Sequence, residues 1–281
     1  MLLAFILLGM VFGSEGLVRI DFADFGFAET ICSIALIFIM FYGGFGTRWK
    51  TAKPAALKAL VMSAFGTIFT ALFTGLFCHY VLHFDLLEGL LTGAVLGSTD
   101  AASVFSVLRS KNLSLKDSTD SLLEVESGSN DPAAYMLTII LLTAMKQGLS
   151  SRLPLQILTT AATQILFGLA IGAVLAFVVR WVLLHVDFET SGFDTAFVLA
   201  SAVLAYALPS VIGGNGYLSA YLMGILLGNS PLSNKKTLVN FFDGLTSLMQ
   251  MLIFFILGLL SFPSRIAAVW LPAAAIAAFL T

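Results

Sequence analysis

Residues 126–132 read ESGSNDP, and the next thirteen, AAYMLTIILLTAM, are almost wholly apolar. The apolar stretch resumes on the other side of this group, back to Ser121. A transmembrane helix needs ~20 mainly apolar residues, so the run over 119–147 predicts one span with the polar group near its middle. Two acids, an amide, two hydroxyls, a glycine and a proline therefore sit at membrane depth. An acid at the bilayer centre costs ~2.5–3.5 kcal/mol on insertion scales and normally faces the bundle interior or water. The fold this predicts is all-α, a polytopic bundle whose interior does the chemistry.

The rest of the chain agrees. Hydrophobic residues make up 59% of the 281 and charged residues 11%, where a soluble domain carries about a quarter charged. Mean hydropathy is +0.99. Apolar runs lie at 1–13, 27–46, 54–83, 86–107, 119–147, 153–186, 192–210, 214–229, 237–262 and 265–281. The first is too short to cross, which leaves about nine full spans and a partial one. It lacks the basic leader and small-residue cleavage site of a signal peptide. No linker or low-complexity stretch divides the runs, so residues 1–281 read as a single transmembrane domain, apparently cut at both ends.

Charge predicts the orientation. With the TRWKTAK loop at 47–53 cytoplasmic and each run crossing once, the inner ends hold Arg48, Lys50, Lys53, Lys58, Arg109, Lys111, Lys116, Arg180, Lys235 and Lys236. The outer side keeps Arg19, Lys146, Arg152 and Arg265. Ten against four is a positive-inside bias. The two cysteines, Cys32 and Cys78, lie inside apolar runs and suggest neither a disulfide framework nor a zinc site. A net charge of −2 with scattered basic loops leaves no nucleic-acid footprint.

Two consecutive spans carry polar clusters about a dozen residues in, near mid-depth at 1.5 Å per residue. One is Gly97, Ser98, Thr99, Asp100 and Ser103; the other is Glu124, Glu126, Ser127, Ser129, Asn130 and Asp131. Pro132 has no N–H for the Gly128 carbonyl and disfavours helical dihedrals at Asp131, which predicts a broken helix there. Gly97–Asp100 is expected to break its helix in the same way. Broken helices at the midplane form the sites of many secondary transporters. Ser127 and Asp131 share one helical face, Glu126 and Asn130 a neighbouring one. Such oxygens suit a hard monovalent cation. A carboxylate among them holds the cation when ionised and a proton when neutral, and burial of a carboxyl raises its proton affinity. That competition is the minimum an antiporter needs.

Plainer readings compete at each position. Pro132 can be a simple kink, and Asp100 an N-cap for the half-helix that follows. Ser98, Ser103 and Ser129 read best as helix-packing hydroxyls. Asp243 and Glu29 read as acids opening their spans, Glu124 as a group near the cytoplasmic end, and His79 and His83 as interfacial filler rather than a metal pair. The glycines of GGFG, GGNG and GLAIG read as close helix contacts.

GSTDAASVFSVLR (97–109) followed by LEVESGSNDPAAYMLT (123–138) resembles the core of the bacterial monovalent cation:proton antiporter-1 family, nearest its potassium/proton, cell-volume-regulation type. LIFIMFYGGFGTRW, NGYLSAYLMGILLGN and FFDGLTSLMQMLIFFILGLL extend the likeness over essentially the whole chain. The resemblance implies an inverted-repeat fold with discontinuous helices, an inner-membrane location and a homodimer. It also implies a cation- and proton-binding aspartate at Asp131, with Asn130, Glu126, Ser127, Thr99 and Asp100 around it. The amide beside the aspartate implies electroneutral exchange of K+ or Na+ for H+, with no cofactor and no metal beyond the transported ion. Tyr42 stands where the family often has an acid, just before Gly43-Gly44. No counterpart of the family's second crossing helix, with its arginine, occurs by Thr281, so the second repeat is expected to be incomplete. A transport-inactive fragment of such an antiporter is the alternative. An intramembrane aspartyl protease using Asp100 and Asp131 is a more distant one, since neither aspartate has a Gly-x-Gly-Asp context.

Overall fold

The computed structural model describes residues 2–99, 104, 119–147, 153–186 and 192–281. Among these residues all regular structure is helical: residue 104 is helical, and ten helices with described bounds each fall in one of the ten apolar runs. They are α1 (Leu2–Phe12), α2 (Phe25–Gly46), α3 (Trp49–Tyr80), α4 (Leu86–Leu96), α5 (Thr119–Gln147), α6 (Leu153–His185), α7 (Phe193–Val211), α8 (Gly216–Gly228), α9 (Lys235–Leu259) and α10 (Pro263–Leu280). Five contain a window long and apolar enough to cross a membrane: α2, α3, α6, α7 and α9. The chain is a multi-pass membrane protein.

The helices pack as two groups. In the larger, α2 and α8 lie against each other and against α6, α7 and α9. Its core includes Phe38, Phe41, Phe45, Val198, Tyr217, Met223, Leu227 and Phe242. The contact between α2 and α8 is close because glycine faces backbone: a Cβ on Gly224 would overlap the Phe41 carbonyl and come within 2.9 Å of Phe45 N. The smaller group joins α3, α4 and α5 through Ala52, Ala59 and Val125 at one end, and Ala71, Ala94 and Leu141 at the other. Its small side chains let the three helices approach on van der Waals contact, the main attraction available inside lipid. On its exposed side α3 presents a ladder of Phe65, Phe69 and Phe73, ring centroids 6.3 and 6.1 Å apart.

Several boundaries differ from the sequence expectation. The loop expected at 47–53 is only Thr47 and Arg48, because α3 begins at Trp49 and carries Pro54 in its second turn. The side chain of Asn229, at the end of α8, supplies what the short loop lacks: Oδ1 accepts from Trp49 N at 2.9 Å and Nδ2 donates to the Thr47 carbonyl at 2.9 Å. Glu29 does not open α2, which starts four residues earlier with Asp24 as N-cap, accepting from Phe27 N at 2.9 Å. Asp243 does not open its helix either. Since α9 starts at Lys235, Asp243 lies in its third turn and accepts from the Tyr42 hydroxyl at 2.9 Å.

Candidate functional site

The two polar clusters meet. Helix α4 stops at Leu96, and Gly97, Ser98 and Thr99 leave the helix in the middle of the predicted span. This is the expected discontinuity. The partner helix α5 behaves differently. It runs from Thr119 to Gln147 without interruption, with Pro132 inside it. The expected break at Asp131 does not occur. Membrane spans tolerate an internal proline; beside it, Asn215 of the facing helix group donates to the Pro132 carbonyl at 3.1 Å, which fastens α5 to that group without replacing the N–H that the Gly128 carbonyl lacks.

The unwound segment lays its side chains along one face of α5. Asn130, only 1% exposed, organises the contact. Its Nδ2 donates to Thr99 Oγ1 at 2.7 Å and to Glu126 Oε1 at 3.3 Å. Thr99 Oγ1 lies 2.9 Å from Ser127 Oγ. Ser98 Oγ donates to Asp131 Oδ1 and also lies 3.2 Å from Asn130 Oδ1. Thr99, Glu126, Ser127, Asn130 and Asp131, all expected from sequence, thus share one network. Asp100 and Ser103 lie outside the described residues.

The arrangement offers the Asp131 carboxylate, with the hydroxyls of Ser98, Ser127 and Thr99 nearby, while the Glu126 carboxylate is engaged by Asn130. All are hard oxygen donors of the kind that replaces water around an alkali cation. Asn130 spends its amide protons on Thr99 and Glu126, which fixes the hydroxyls in place. Among the described residues no group of three or more His, Cys, Asp or Glu is placed to hold a metal. His79 instead sits with Nδ1 2.9 Å from the Phe84 carbonyl.

Sequence reasoning placed Ser98 among packing hydroxyls, and the structure moves it onto the Asp131 carboxylate. Ser129 fits the packing role, donating to the Val125 carbonyl at 2.6 Å. Two residues beside the site were missed. Asn215 had been passed over within a glycine-rich turn, and Tyr221 within an apolar run. Asp194 was missed as well. It is a buried acid at the start of α7, held by Thr195 N at 2.8 Å and by Asn234 Nδ2 at 2.8 Å, and it ties α7 to α9.

Comparison with known proteins places the chain in a family. The profile described as "Sodium/hydrogen exchanger, transmembrane" matches residues 1–281. The chain belongs to the sodium/hydrogen exchanger family. This exchanger chain is 35% identical, over 98% of its length, to the K(+)/H(+) antiporter NhaP2 of Shewanella oneidensis, of which it covers 48%. It is 38% identical over 99% of its length to the K(+)/H(+) antiporter NhaP of Alkalimonas amylolytica, again covering 48% of that protein. The exchanger chain thus spans about half the length of these relatives. Its fold is similar to the solved structure of the sodium proton antiporter MjNhaP1 from Methanocaldococcus jannaschii at pH 8, with a TM-score of 0.80 and 27% identity. The match covers 98% of this chain and 70% of that one. The family is one of transporters rather than enzymes, and it lends nothing to the aspartyl-protease alternative.

Proposed function

We propose that this protein exchanges a monovalent cation for a proton across the membrane, and that Asp131 is the group on which the two compete. The observation that carries the reading is the Asp131 carboxylate on α5, met by the Ser98 hydroxyl from the unwound end of α4. When ionised, Asp131 binds the cation together with hydroxyl oxygens of Ser98, Ser127 and Thr99. When protonated, it has no charge with which to hold one. Asn130 and Glu126 keep the hydroxyls in register, and Asp100 belongs to the same site by its place after Thr99. The amide of Asn130 beside Asp131, where a second carboxylate would add another exchangeable charge, supports one proton per cation and hence electroneutral exchange.

Relatives named as K(+)/H(+) antiporters and a structural neighbour named as a sodium proton antiporter support K+ or Na+ as the cation. We further take the protein to act as a homodimer in an inner membrane, in pH and volume control. The test is reconstitution of the purified protein in vesicles with a trapped pH dye, adding K+, Na+ or Li+ outside. A cation-dependent pH change that Asp131→Asn abolishes is expected. Wild-type exchange retained by Asp131→Asn would overturn the assignment.

A further inference from the structure

Away from the ion site, a cavity of about 380 Å³ opens where three helix ends meet: the last turns of α2, the end of α8 and the first turns of α9. Its volume falls in the range of small-ligand pockets, about 300–1,000 Å³. Tyr42, Phe45 and Thr47 line it as buried residues, while Arg48, Asn229 and Lys235 are exposed. The charge distribution puts these helix ends on the cytoplasmic side.

Among the described residues the lining carries two cations and no carboxylate. Asp243 takes the Tyr42 hydroxyl at 2.9 Å and Asp194 takes Asn234 Nδ2 at 2.8 Å, and neither acid lines the cavity. The Asn229 side chain is spent as well: Oδ1 accepts from Trp49 N, and Nδ2 donates to the carbonyls of Thr47 and Ile225 at 2.9 and 2.8 Å. What remains to meet a ligand is positive. Lys235 Nζ donates to the Gly228 carbonyl, which holds the ammonium at the cavity. An ammonium has three donors, so that bond leaves two to offer. Arg48 brings a planar fork of donors that matches phosphate oxygens in pairs. A transported cation is repelled here, so the cavity is no vestibule for it.

Its depth points to the source of the anion. Trp49 follows Arg48 and is 39% exposed, and tryptophan is enriched at headgroup level. Leu57, Leu60 and Val61 carry an exposed apolar face of α3 onward into the membrane. Cytoplasmic leaflets hold anionic lipid, and basic pockets between helices on that side bind its headgroups.

We propose that this cavity holds the phosphate of an anionic phospholipid between Arg48 and Lys235, as a second site that carries no transported ion. This site is independent of Asp131 as the exchange group. The bound phosphate links the N-cap residue of α3, in the smaller helix group, to the first residue of α9, in the larger. Asn229 already makes one such link through Trp49 N. The lipid therefore fastens the two-residue joint, Thr47 and Arg48, between the groups.

The experiment melts the whole gene product, purified in a neutral detergent, against rising phosphatidylglycerol, with phosphatidylcholine and inorganic phosphate as separate arms. A ligand bound by the folded state raises the melting temperature with its concentration. Wild type is expected to respond to phosphatidylglycerol, not to phosphatidylcholine, and to need far more inorganic phosphate. Arg48→Gln and Lys235→Gln each raise the half-saturating lipid concentration about fivefold, the order for one basic residue at a charged membrane surface, and the double variant about twenty-five-fold. Arg48→Ala and Lys235→Ala serve as second neutral variants should an amide fail to fold. Lys236→Gln, next in the chain but outside the lining, leaves the response unchanged, as does Asp131→Asn.

An unchanged response in the double variant would overturn the site. An equal response to phosphatidylcholine, or a Lys236→Gln effect as large as that of Lys235→Gln, would reduce it to general attraction to the surface. Inorganic phosphate acting at the same concentration as phosphatidylglycerol would overturn lipid as the source. None of these results touches the assignment of Asp131, which exchange retained by Asp131→Asn overturns on its own.

Discussion

Asn215 Nδ2 donates to the carbonyl oxygen of Pro132 across 3.1 Å, joining the two helix groups at the residue that follows Asp131. The same side chain caps α8, its Oδ1 accepting from Leu218 N at 3.0 Å, while its own N–H donates to the Gln164 carbonyl at 3.0 Å. One buried amide therefore starts α8, ties it to α6 and reaches the ion-site helix.

The two roles of Asn215 separate by substitution. Asn215→Asp keeps the cap acceptor but removes the donor and turns an oxygen towards the Pro132 carbonyl. Asn215→Ala loses both. Loss of an N-cap side chain costs about 1 kcal/mol, and loss of one hydrogen bond to a carbonyl that lies inside a helix about 0.5–1.5 kcal/mol. The alanine variant is expected to melt earlier in detergent. The aspartate variant is expected to impair exchange more than its melting temperature suggests. Equal loss of stability and transport in both variants would refute the separation.

Asn130 is the next test, because it donates twice within the site. Asn130→Ala leaves Thr99 Oγ1 and Glu126 Oε1 without that donor, at about 0.5–1.5 kcal/mol per lost bond, since Thr99 is exposed and Glu126 half-buried. Transport is expected to fall with the cation's half-saturating concentration raised, since the hydroxyls of Thr99 and Ser127 lose their anchor. Asn130→Asp keeps the volume but turns an acceptor towards those groups, and is expected to change the pH dependence of exchange. A melting curve and a pH profile of each variant check the two outcomes.

These outcomes also measure how far the sequence was readable. Polar residues inside apolar runs are costly enough to stand out, so Thr99, Glu126, Ser127, Asn130 and Asp131 could be found from composition and spacing, and the structure brings them together. The span order was legible for the same reason. What escaped was everything decided by a neighbour. Pro132 was expected to break α5, but the helix is continuous, and the partner of the proline's own carbonyl, Asn215, lies 83 residues along the chain. Ser98 looked like routine packing until the end of α4 at Leu96 placed it beside Asp131. Asp243 was assigned by its distance from an estimated helix start, and its partner Tyr42 is 201 residues away. Tyr221 has no local signature at all, since only Gly128 on another helix makes its position special.

Gly128 and Tyr221 can be tested as a pair. Gly128→Ala puts a methyl into the ring and is expected to cost about 1–3 kcal/mol by overpacking. In a Tyr221→Ala background the same change meets open space, so the two substitutions are expected to couple by about 0.5–3 kcal/mol. A double-mutant cycle on detergent melting checks this. Strict additivity would mean that the ring and the glycine are not in contact.

At the outer surface, Glu15 accepts from the Ser264 N–H at 2.8 Å and from the Ser264 hydroxyl, fastening the turn after α1 to the start of α10. The side-chain bond to Ser264 and then the backbone bond hold the Glu15 carboxyl below the usual glutamate value, against an opposing effect of desolvation and with a smaller contribution from the charge of Arg265. The folded state thus binds the Glu15 proton more weakly than the unfolded chain does. Its contribution to stability is present above the ordinary glutamate range and fades as pH falls through the lowered folded value. Glu15 is fully exposed, so the effect is small and screened by salt. Wild type is expected to lose its advantage over Glu15→Gln as the pH drops through that window. Melting both proteins from neutral to acidic pH at low salt checks it, and a gap between them that stays constant with pH would show that the Ser264 contact carries no linkage.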